Sequence, residues 1–151
     1  MSEYCFVHKF VETYIANNGN NTACRAPGKN QSTYADCEMV HCGDLVKLEC
    51  KLLKDTRSNS RNFYNMLGEV IGTSAKPSLL DKPGSYSCVK NGFLIPKSSE
   101  NIFRSLWRKN ITVTNGNNYC RDFDVTYLVV FDLAIKQYKI KQYNPVKNDW
   151  V

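Results

Sequence analysis

Residues 125–131 constrain the fold most, because they form a nearly continuous apolar block of strand-forming residues. A strand that is apolar in this way is typical of the centre of a sheet, where it is covered on both faces. The chain has 151 residues, of which 42% are hydrophobic. These values predict one domain that is organised around one core.

Several other segments have the patterns of strands. Residues 45–53 alternate, with Val46 and Leu48 on one side and Lys47, Glu49 and Lys51 on the other, which predicts a half-buried strand. The remaining predicted strands are 63–71, where Gly68 argues against a helix, a hairpin over 86–95 around Asn91-Gly92, 111–114, and an edge strand over 135–143.

Two segments have apolar residues at helical spacing, namely 2–17 and 98–109. Ser2 is expected to cap the first helix. The predicted fold class is therefore α+β: a single compact domain over residues 1–151 with a mostly antiparallel sheet and two amphipathic helices.

The sequence shows neither a membrane-spanning run nor a visible signal peptide. Its seven cysteines are odd in number, so a monomer keeps at least one thiol. Reduced thiols are the simpler interpretation, and we expect a soluble protein that is intracellular rather than secreted, with no membrane partner.

The net charge of +6 predicts attraction to an anionic ligand or partner, either nucleic acid or an acidic protein surface. Tyr138 and Tyr143 are interleaved with the last basic group, as in surfaces that stack bases. The alternative is an ordinary solvated surface with protective lysines on an edge strand. The residues assigned to a basic face of a non-enzymatic binding module are Lys47, Lys51, Arg104, Arg108, Lys136, Lys139 and Lys141.

Motifs for hydrolysis, phosphate binding and zinc binding give little support to those functions. The chain has two histidines, neither beside a G-x-S-x-G motif, and it lacks a glycine-rich phosphate loop. A zinc site drawn from Cys5, His8, Cys37, His41 and Cys42 would crowd three of its ligands. No metal is therefore expected.

Two cysteine-containing segments resemble an immunoglobulin domain. Residues 43–50 are similar to the strand that carries the first bridge cysteine, and residues 81–88 are similar to the tyrosine-corner segment with the second. This resemblance implies a secreted binding protein with a Cys50–Cys88 disulfide.

The second half of the chain resembles another family over a longer stretch. Residues 66–70, 85–90 and 127–134, taken in order, are similar to the carboxyl-terminal half of the poly(ADP-ribose) polymerase catalytic domain. The resemblance implies an ADP-ribosyltransferase-like domain that uses NAD as its substrate and a protein as acceptor.

The same resemblance implies roles for four residues. His8 would hydrogen-bond the ribose, Tyr34 would stack on the nicotinamide, and Ser87 would join them in binding NAD. Tyr127 takes the position of the glutamate that supports the oxocarbenium charge in chain-elongating members. Because tyrosine is not a carboxylate, the domain would transfer one ADP-ribose or be inactive.

Overall fold

The computed structural model describes residues 1–19, 23–29, 31, 33–53, 59–73, 76–80, 88–112 and 118–151. Its helices are α1 (Glu3–Asn18), α2 (Asn59–Thr73), α3 (Glu100–Asn110) and the short α4 (Tyr119–Asp122). Its strands are β1 (Cys24–Arg25), β2 (Cys37–His41), β3 (Asp44–Cys50), β4 (Cys88–Pro96), β5 (Val125–Asp132), β6 (Gln137–Asn144) and β7 (Asp149–Trp150).

The seven strands form one sheet in which their spatial order follows the chain. The β3–β4 and β4–β5 pairs are parallel, and the other four pairs are antiparallel. Parallel neighbours require crossovers, which α2 supplies between β3 and β4, and α3 with α4 between β4 and β5. The predicted α+β class with a mostly antiparallel sheet is confirmed, and α2 is an additional helix.

Apolar layers cover the sheet on both faces, as the 125–131 block predicts. One cluster joins α1 to the sheet through residues such as Phe6, Phe10 and Phe131. The other joins α2 and α3 to the opposite face, and its largest members are Phe63, Phe93, Phe103, Trp107 and Trp150. The side chains of β5 alternate between these two clusters, so the prediction of a central strand is confirmed.

The two predicted helices are present with small changes at their ends. The Ser2 hydroxyl accepts a hydrogen bond from the Cys5 N–H at 3.2 Å, which satisfies one backbone donor at the start of α1. A 3₁₀ turn at Lys97–Ser99 precedes α3. The strand predicted over 135–143 corresponds to β6, but the prediction that it is an edge strand is wrong at its end, where the short β7 pairs with Tyr143 and Asn144. No helix in the described part of the chain is both long and apolar enough to cross a membrane.

The strand predicted over 63–71 is wrong, because this segment is the centre of α2. Phe63, Met66, Leu67 and Val70 recur at helical spacing and are all buried against the sheet. Gly68 lies on the exposed side of the helix, where it weakens the helix by about 1 kcal/mol without interrupting it.

The hairpin predicted around Asn91-Gly92 is also wrong. Strand β4 runs through both residues without a turn, and the ladder to β5 shifts its register between them. The strand predicted over 111–114 is absent at Ile111 and Thr112, and its other two residues lie outside the described residues.

Strand β3 is present, but the prediction that it is half-buried is wrong. Residues 45–50 are all buried, because α2 covers the face that carries Lys47 and Glu49. Charged side chains in the interior of a sheet are uncommon unless they have partners or a function.

Candidate metal-binding site

Glu49 is a deeply buried carboxylate beside α2, with 1% of its surface exposed. The Thr73 hydroxyl donates to Oε1 of Glu49 at 2.8 Å, and Nζ of Lys76 donates to the same oxygen at 2.9 Å. Both of these hydrogen bonds go to Oε1, and Oε2 accepts none from the described residues. Oε2 therefore keeps lone pairs that a ligand can use.

Two more carboxylates lie next to Glu49. Asp36 precedes β2, and its Oδ2 accepts a hydrogen bond from the Cys50 N–H at 2.8 Å, which fixes it beside the end of β3. Glu69 is on α2. One oxygen from each of Asp36, Glu49 and Glu69 lies within 4.8 Å of the others.

This separation suits one divalent cation. Ca²⁺ and Mg²⁺ bind oxygen ligands at about 2.0–2.6 Å, so two ligands on opposite sides of an ion lie roughly 4–5 Å apart. Among the residues that the structure describes, Asp36, Glu49 and Glu69 are the one group of three or more His, Cys, Asp or Glu side chains that meets this criterion.

The electrostatics of the cluster also favour a cation. Burial, followed by the nearby charge of Asp36, raises the pKa of Glu49 to about 7. Burial likewise raises the pKa of Glu3; the charge of Lys51 opposes this effect, and the charges of Asp36 and Glu69 add to it. When all are ionised, these four carboxylates have two ammonium neighbours, Lys51 and Lys76, which leaves two negative charges uncompensated.

Lys51 adjoins the cluster from the end of β3. Its Nζ lies 3.2 Å from Oε1 of Glu69 and 4.0 Å from Oε1 of Glu3. Burial acts to lower the pKa of Lys51, but the charges of Glu3 and Glu69 outweigh it and raise the pKa. Lys51 is therefore an ammonium group at neutral pH, suited to stabilising negative charge rather than to accepting a proton.

A cavity of about 270 Å³ opens beside the cluster and shares Glu3 and Asp36 with it. The first turns of α1 supply Tyr4 and His8 to its wall, and the loop after β1 supplies Pro27, Gly28 and Gln31. The carboxylate cluster therefore borders a space that a ligand can enter.

A larger cavity of about 610 Å³ lies elsewhere and has a mainly apolar lining. Its charged lining residues are Lys97 and Asp132, and Lys97 is paired with Glu100 at 2.6 Å. This cavity is the larger of the two, but the smaller one borders the cluster in which carboxylate pKa values are raised. Shifted pKa values are a better indicator of a functional site than cavity size.

The residues predicted to bind NAD are not brought together. His8 borders the cavity beside Asp36, which is bonded to Cys50 at the end of β3. The Tyr127 hydroxyl donates to Asp44 at the start of β3, at 2.9 Å. These two places are separated by the length of β3, roughly 20 Å.

The other two predicted NAD contacts add no support to the group. Tyr34 is half-buried, two residues before Asp36, and makes no contact with His8 or Tyr127 within the described part of the chain. Ser87 lies outside the described residues.

The predicted basic face is divided among different environments. The prediction that Lys47 belongs to this face is wrong, because Lys47 is buried under α2 and donates to the Lys76 carbonyl at 2.6 Å. It therefore cannot contact a partner. Lys51 belongs to the carboxylate cluster. Arg104 and Lys141 are committed to Glu100, while Arg108, Lys136 and Lys139 are exposed.

The Cys50–Cys88 disulfide implied by the immunoglobulin resemblance is not formed. Cys88 pairs with Asp44 at the start of β3, whereas Cys50 pairs with Leu94. The two cysteines are therefore six positions apart along a parallel ladder, roughly 20 Å. A disulfide requires Cα atoms within about 7 Å.

Sequence reasoning missed all three carboxylates. The usable signal was the run Lys47-x-Glu49-x-Lys51, three charges on one face of a strand whose other face is apolar. We interpreted that face as solvent-exposed. Had α2 been identified, a covered face with three charges would have indicated a functional strand.

No protein-family model and no curated protein matches the chain. Two solved structures are similar over nearly the full length. An XisH family protein from Nostoc punctiforme PCC 73102 has 11% identity and a TM-score of 0.49, covering 96% of this chain and 98% of that one. A fdxN element excision controlling factor protein from Anabaena variabilis has 15% identity and a TM-score of 0.50, covering 96% and 97%. The similarity to the Anabaena variabilis protein is a similarity of fold.

Proposed function

We propose that this chain hydrolyses phosphodiester bonds of nucleic acid, using a divalent cation held by Asp36, Glu49 and Glu69. The observation that carries the proposal is the convergence of three carboxylates, from β3, from α2 and from the residue before β2, with one oxygen of each within 4.8 Å of the others. Lys51 lies beside them as a permanent positive charge.

The ligand chemistry favours Mg²⁺ or Mn²⁺. All three candidate ligands are carboxylate oxygens, which these hard cations prefer. A divalent ion also compensates the two excess negative charges around Glu49. Asp36 and Glu69 are half-buried, so a cation held there would be accessible to water and to a substrate.

In the reaction, water adds to phosphorus, the bond to one sugar oxygen breaks, and that oxygen receives a proton. A bound divalent cation supplies Lewis-acid stabilisation and lowers the pKa of its water. Asp36 and Glu49 hold the cation against the end of β3. The Lys51 ammonium stabilises the charge that develops on the phosphate oxygens.

Nucleic acid is the phosphodiester substrate that the rest of the molecule favours. The net charge of +6 attracts a polyanion to a chain whose candidate site is itself acidic. Arg108, Lys136 and Lys139 are exposed and available for phosphate contacts. The Anabaena variabilis protein is named as an excision controlling factor, which agrees with a nucleic-acid substrate for this chain.

A cleavage assay tests the proposal. We expect the wild-type protein to cut single-stranded DNA, double-stranded DNA or RNA in Mg²⁺ or Mn²⁺, and chelation to stop the reaction. Glu49→Gln and Lys51→Met should each lower the rate by about 100-fold or more, because the first removes a charged cation ligand and the second removes the positive charge beside the reacting phosphate. Lys51→Met should retain metal binding.

Glu38→Gln is the matched control. Glu38 is as deeply buried as Glu49, and its pKa is also raised by burial, but it does not belong to the cluster. Its Oε2 accepts from the Leu79 N–H, and its buried Oε1 has no hydrogen-bond partner among the described residues. This variant should cut at the wild-type rate. Cleavage that survives in Glu49→Gln, or a wild-type protein that leaves all three substrates intact in both metals, would refute the proposal.

ADP-ribosyl transfer stays a prediction that the comparisons do not address. It requires His8, Tyr34 and Tyr127 around one NAD, and the separation of His8 from Tyr127 gives it no support. The non-enzymatic basic face also stays a prediction, with Arg108, Lys136 and Lys139 as its exposed members.

A further inference from the structure

Tyr4 presents an aromatic ring next to the carboxylate cluster. Its side chain is in the first turn of α1, lines the cavity and has 41% of its surface exposed. One turn further on, the His8 ring lies 4.2 Å from the Tyr4 ring between centroids, tilted by 40°. The two rings form one aromatic wall, which we call the Tyr4–His8 pair.

A hydrogen bond to the loop after β1 fixes the His8 ring. Its Nε2 lies 3.1 Å from the Pro27 carbonyl oxygen, and because a carbonyl can only accept, Nε2 carries the proton. This bond holds His8 under Tyr4 and ties the loop to α1. The aromatic wall is therefore held in place before a ligand arrives.

The cavity has a polar wall near the aromatic one. The Gln31 Oε1 accepts from the Gly28 N–H at 2.8 Å, which orients the side-chain amide. Its Nε2 makes no hydrogen bond to any residue in the described stretches of the chain. An oriented amide donor beside an aromatic face suits a flat ring with acceptor atoms at its edge.

The cavity and the carboxylate cluster share two side chains. Glu3 and Asp36 line the cavity, while Asp36 belongs to the cluster and Glu3 faces Lys51 at 4.0 Å. Tyr4 directly follows Glu3 in the chain. A phosphate beside Lys51 would therefore lie next to Glu3, which is part of the cavity wall.

We infer that the Tyr4–His8 pair is a stacking subsite for an unpaired nucleobase adjacent to the phosphate that is cut. This rests on the proposed function for the position of that phosphate. A paired base has no face to offer Tyr4, so the subsite selects single-stranded segments over duplex. Base stacking tolerates any sequence, because each base has an aromatic face.

A binding measurement that needs no turnover tests the inference. Affinity is measured at low salt in Ca²⁺, which shares the oxygen ligands of Mg²⁺. The probes are single-stranded DNA and RNA oligonucleotides and an abasic strand of equal length and charge. Tyr4→Ala should weaken binding to base-containing strands by about 5- to 150-fold and leave binding to the abasic strand unchanged.

Two variants serve as controls. Tyr4→Phe keeps the ring and should bind as the wild type does. Tyr64→Ala removes another exposed tyrosine, on α2 and outside the cavity, and should also bind normally. If Tyr4→Ala binds base-containing strands as tightly as the wild type, or loses equal affinity for the abasic strand, the stacking subsite is wrong.

The assay separates this inference from the proposed function. Base-dependent binding that requires Tyr4, in a protein that cuts nothing, would retain the subsite and refute hydrolysis. Metal-dependent cutting by a protein whose binding does not depend on Tyr4 would support hydrolysis and refute the subsite. If the protein cuts nucleic acid, Tyr4→Ala should raise KM and leave kcat nearly unchanged, because stacking stabilises the bound substrate and the transition state equally.

Discussion

Glu49 and Glu100 are both buried glutamates, but their surroundings shift their pKa values in opposite directions. Burial acts to raise the pKa of Glu100, but hydrogen bonds from Lys141 and Lys97 outweigh it and lower the pKa to about 2. Glu49 has Asp36 as a neighbour, and its pKa is raised to about 7. Glu100 is thus a satisfied structural group, whereas Glu49 has one ammonium partner, Lys76, which does not offset its burial and the charge of Asp36. That contrast identifies which buried carboxylate belongs to a site.

Glu100→Gln should destabilise the fold by about 2–3 kcal/mol at neutral pH, since Lys141 and Arg104 would lose their buried counter-ion. The pKa of Glu100 is depressed in the folded state, so its stabilising effect is complete above about pH 4.5 and is lost as the pH falls towards 2. Urea unfolding should show that the difference in unfolding free energy between the wild type and the variant becomes smaller as the pH falls through that range.

Glu12→Gln is the control for this measurement. Glu12 pairs with Lys9 on the surface of α1, and both side chains are largely exposed. Such pairs contribute little, so this variant should unfold with the wild type at each pH. A constant difference between Glu100→Gln and the wild type from neutral pH down to about 3 would contradict the assignment.

At the scale of elements, β4 depends on a glycine. A Cβ on Gly92 would lie 2.5 Å from the Tyr127 carbonyl oxygen in β5 and 3.0 Å from Cδ2 of Leu48 in β3. The first of these atoms belongs to the backbone and cannot move without shifting the sheet. The close approach of β5 to β4 therefore requires glycine at this position.

Gly92→Ala should cost about 2–4 kcal/mol, because the sheet must separate to admit the methyl group. Gly68→Ala is the matched control, as a Cβ there meets no atom within 4 Å and lies on the exposed face of α2. This second change should stabilise the protein by about 0.5–1 kcal/mol through helix propensity. Thermal unfolding that ranks the two variants equally would contradict the packing of β4.

The same two glycines explain which elements could be predicted. Helices α1 and α3 and strand β5 have patterns that a single sequence displays clearly, and they were predicted correctly. Gly68 and the Asn91-Gly92 pair are signals with two meanings: glycine also occurs on exposed helix faces, and within strands it marks bulges and close backbone approaches. Tertiary packing decides between these meanings, and the local pattern does not contain it.

At the scale of the molecule, the candidate site could not be assembled from the sequence. Asp36, Glu49 and Glu69 come from the start of β2, the end of β3 and the middle of α2. Strand β2 was not predicted and α2 was interpreted as a strand, so nothing placed Glu69 over the β3 face. To predict that these distant residues meet, one must first identify α2 as the helix that connects β3 to β4.

Mn²⁺ binding, measured by the electron paramagnetic resonance signal of the unbound ion, shows whether the three carboxylates form a cation site. We expect saturable binding that Asp36→Asn and Glu69→Gln each weaken by about 10- to 100-fold, because each removes one oxygen ligand. Glu38→Gln, which alters a buried glutamate outside the cluster, should leave the affinity unchanged. Failure of the wild type to bind at millimolar Mn²⁺, or equal affinity in Asp36→Asn, Glu69→Gln and the wild type, would contradict this cation site.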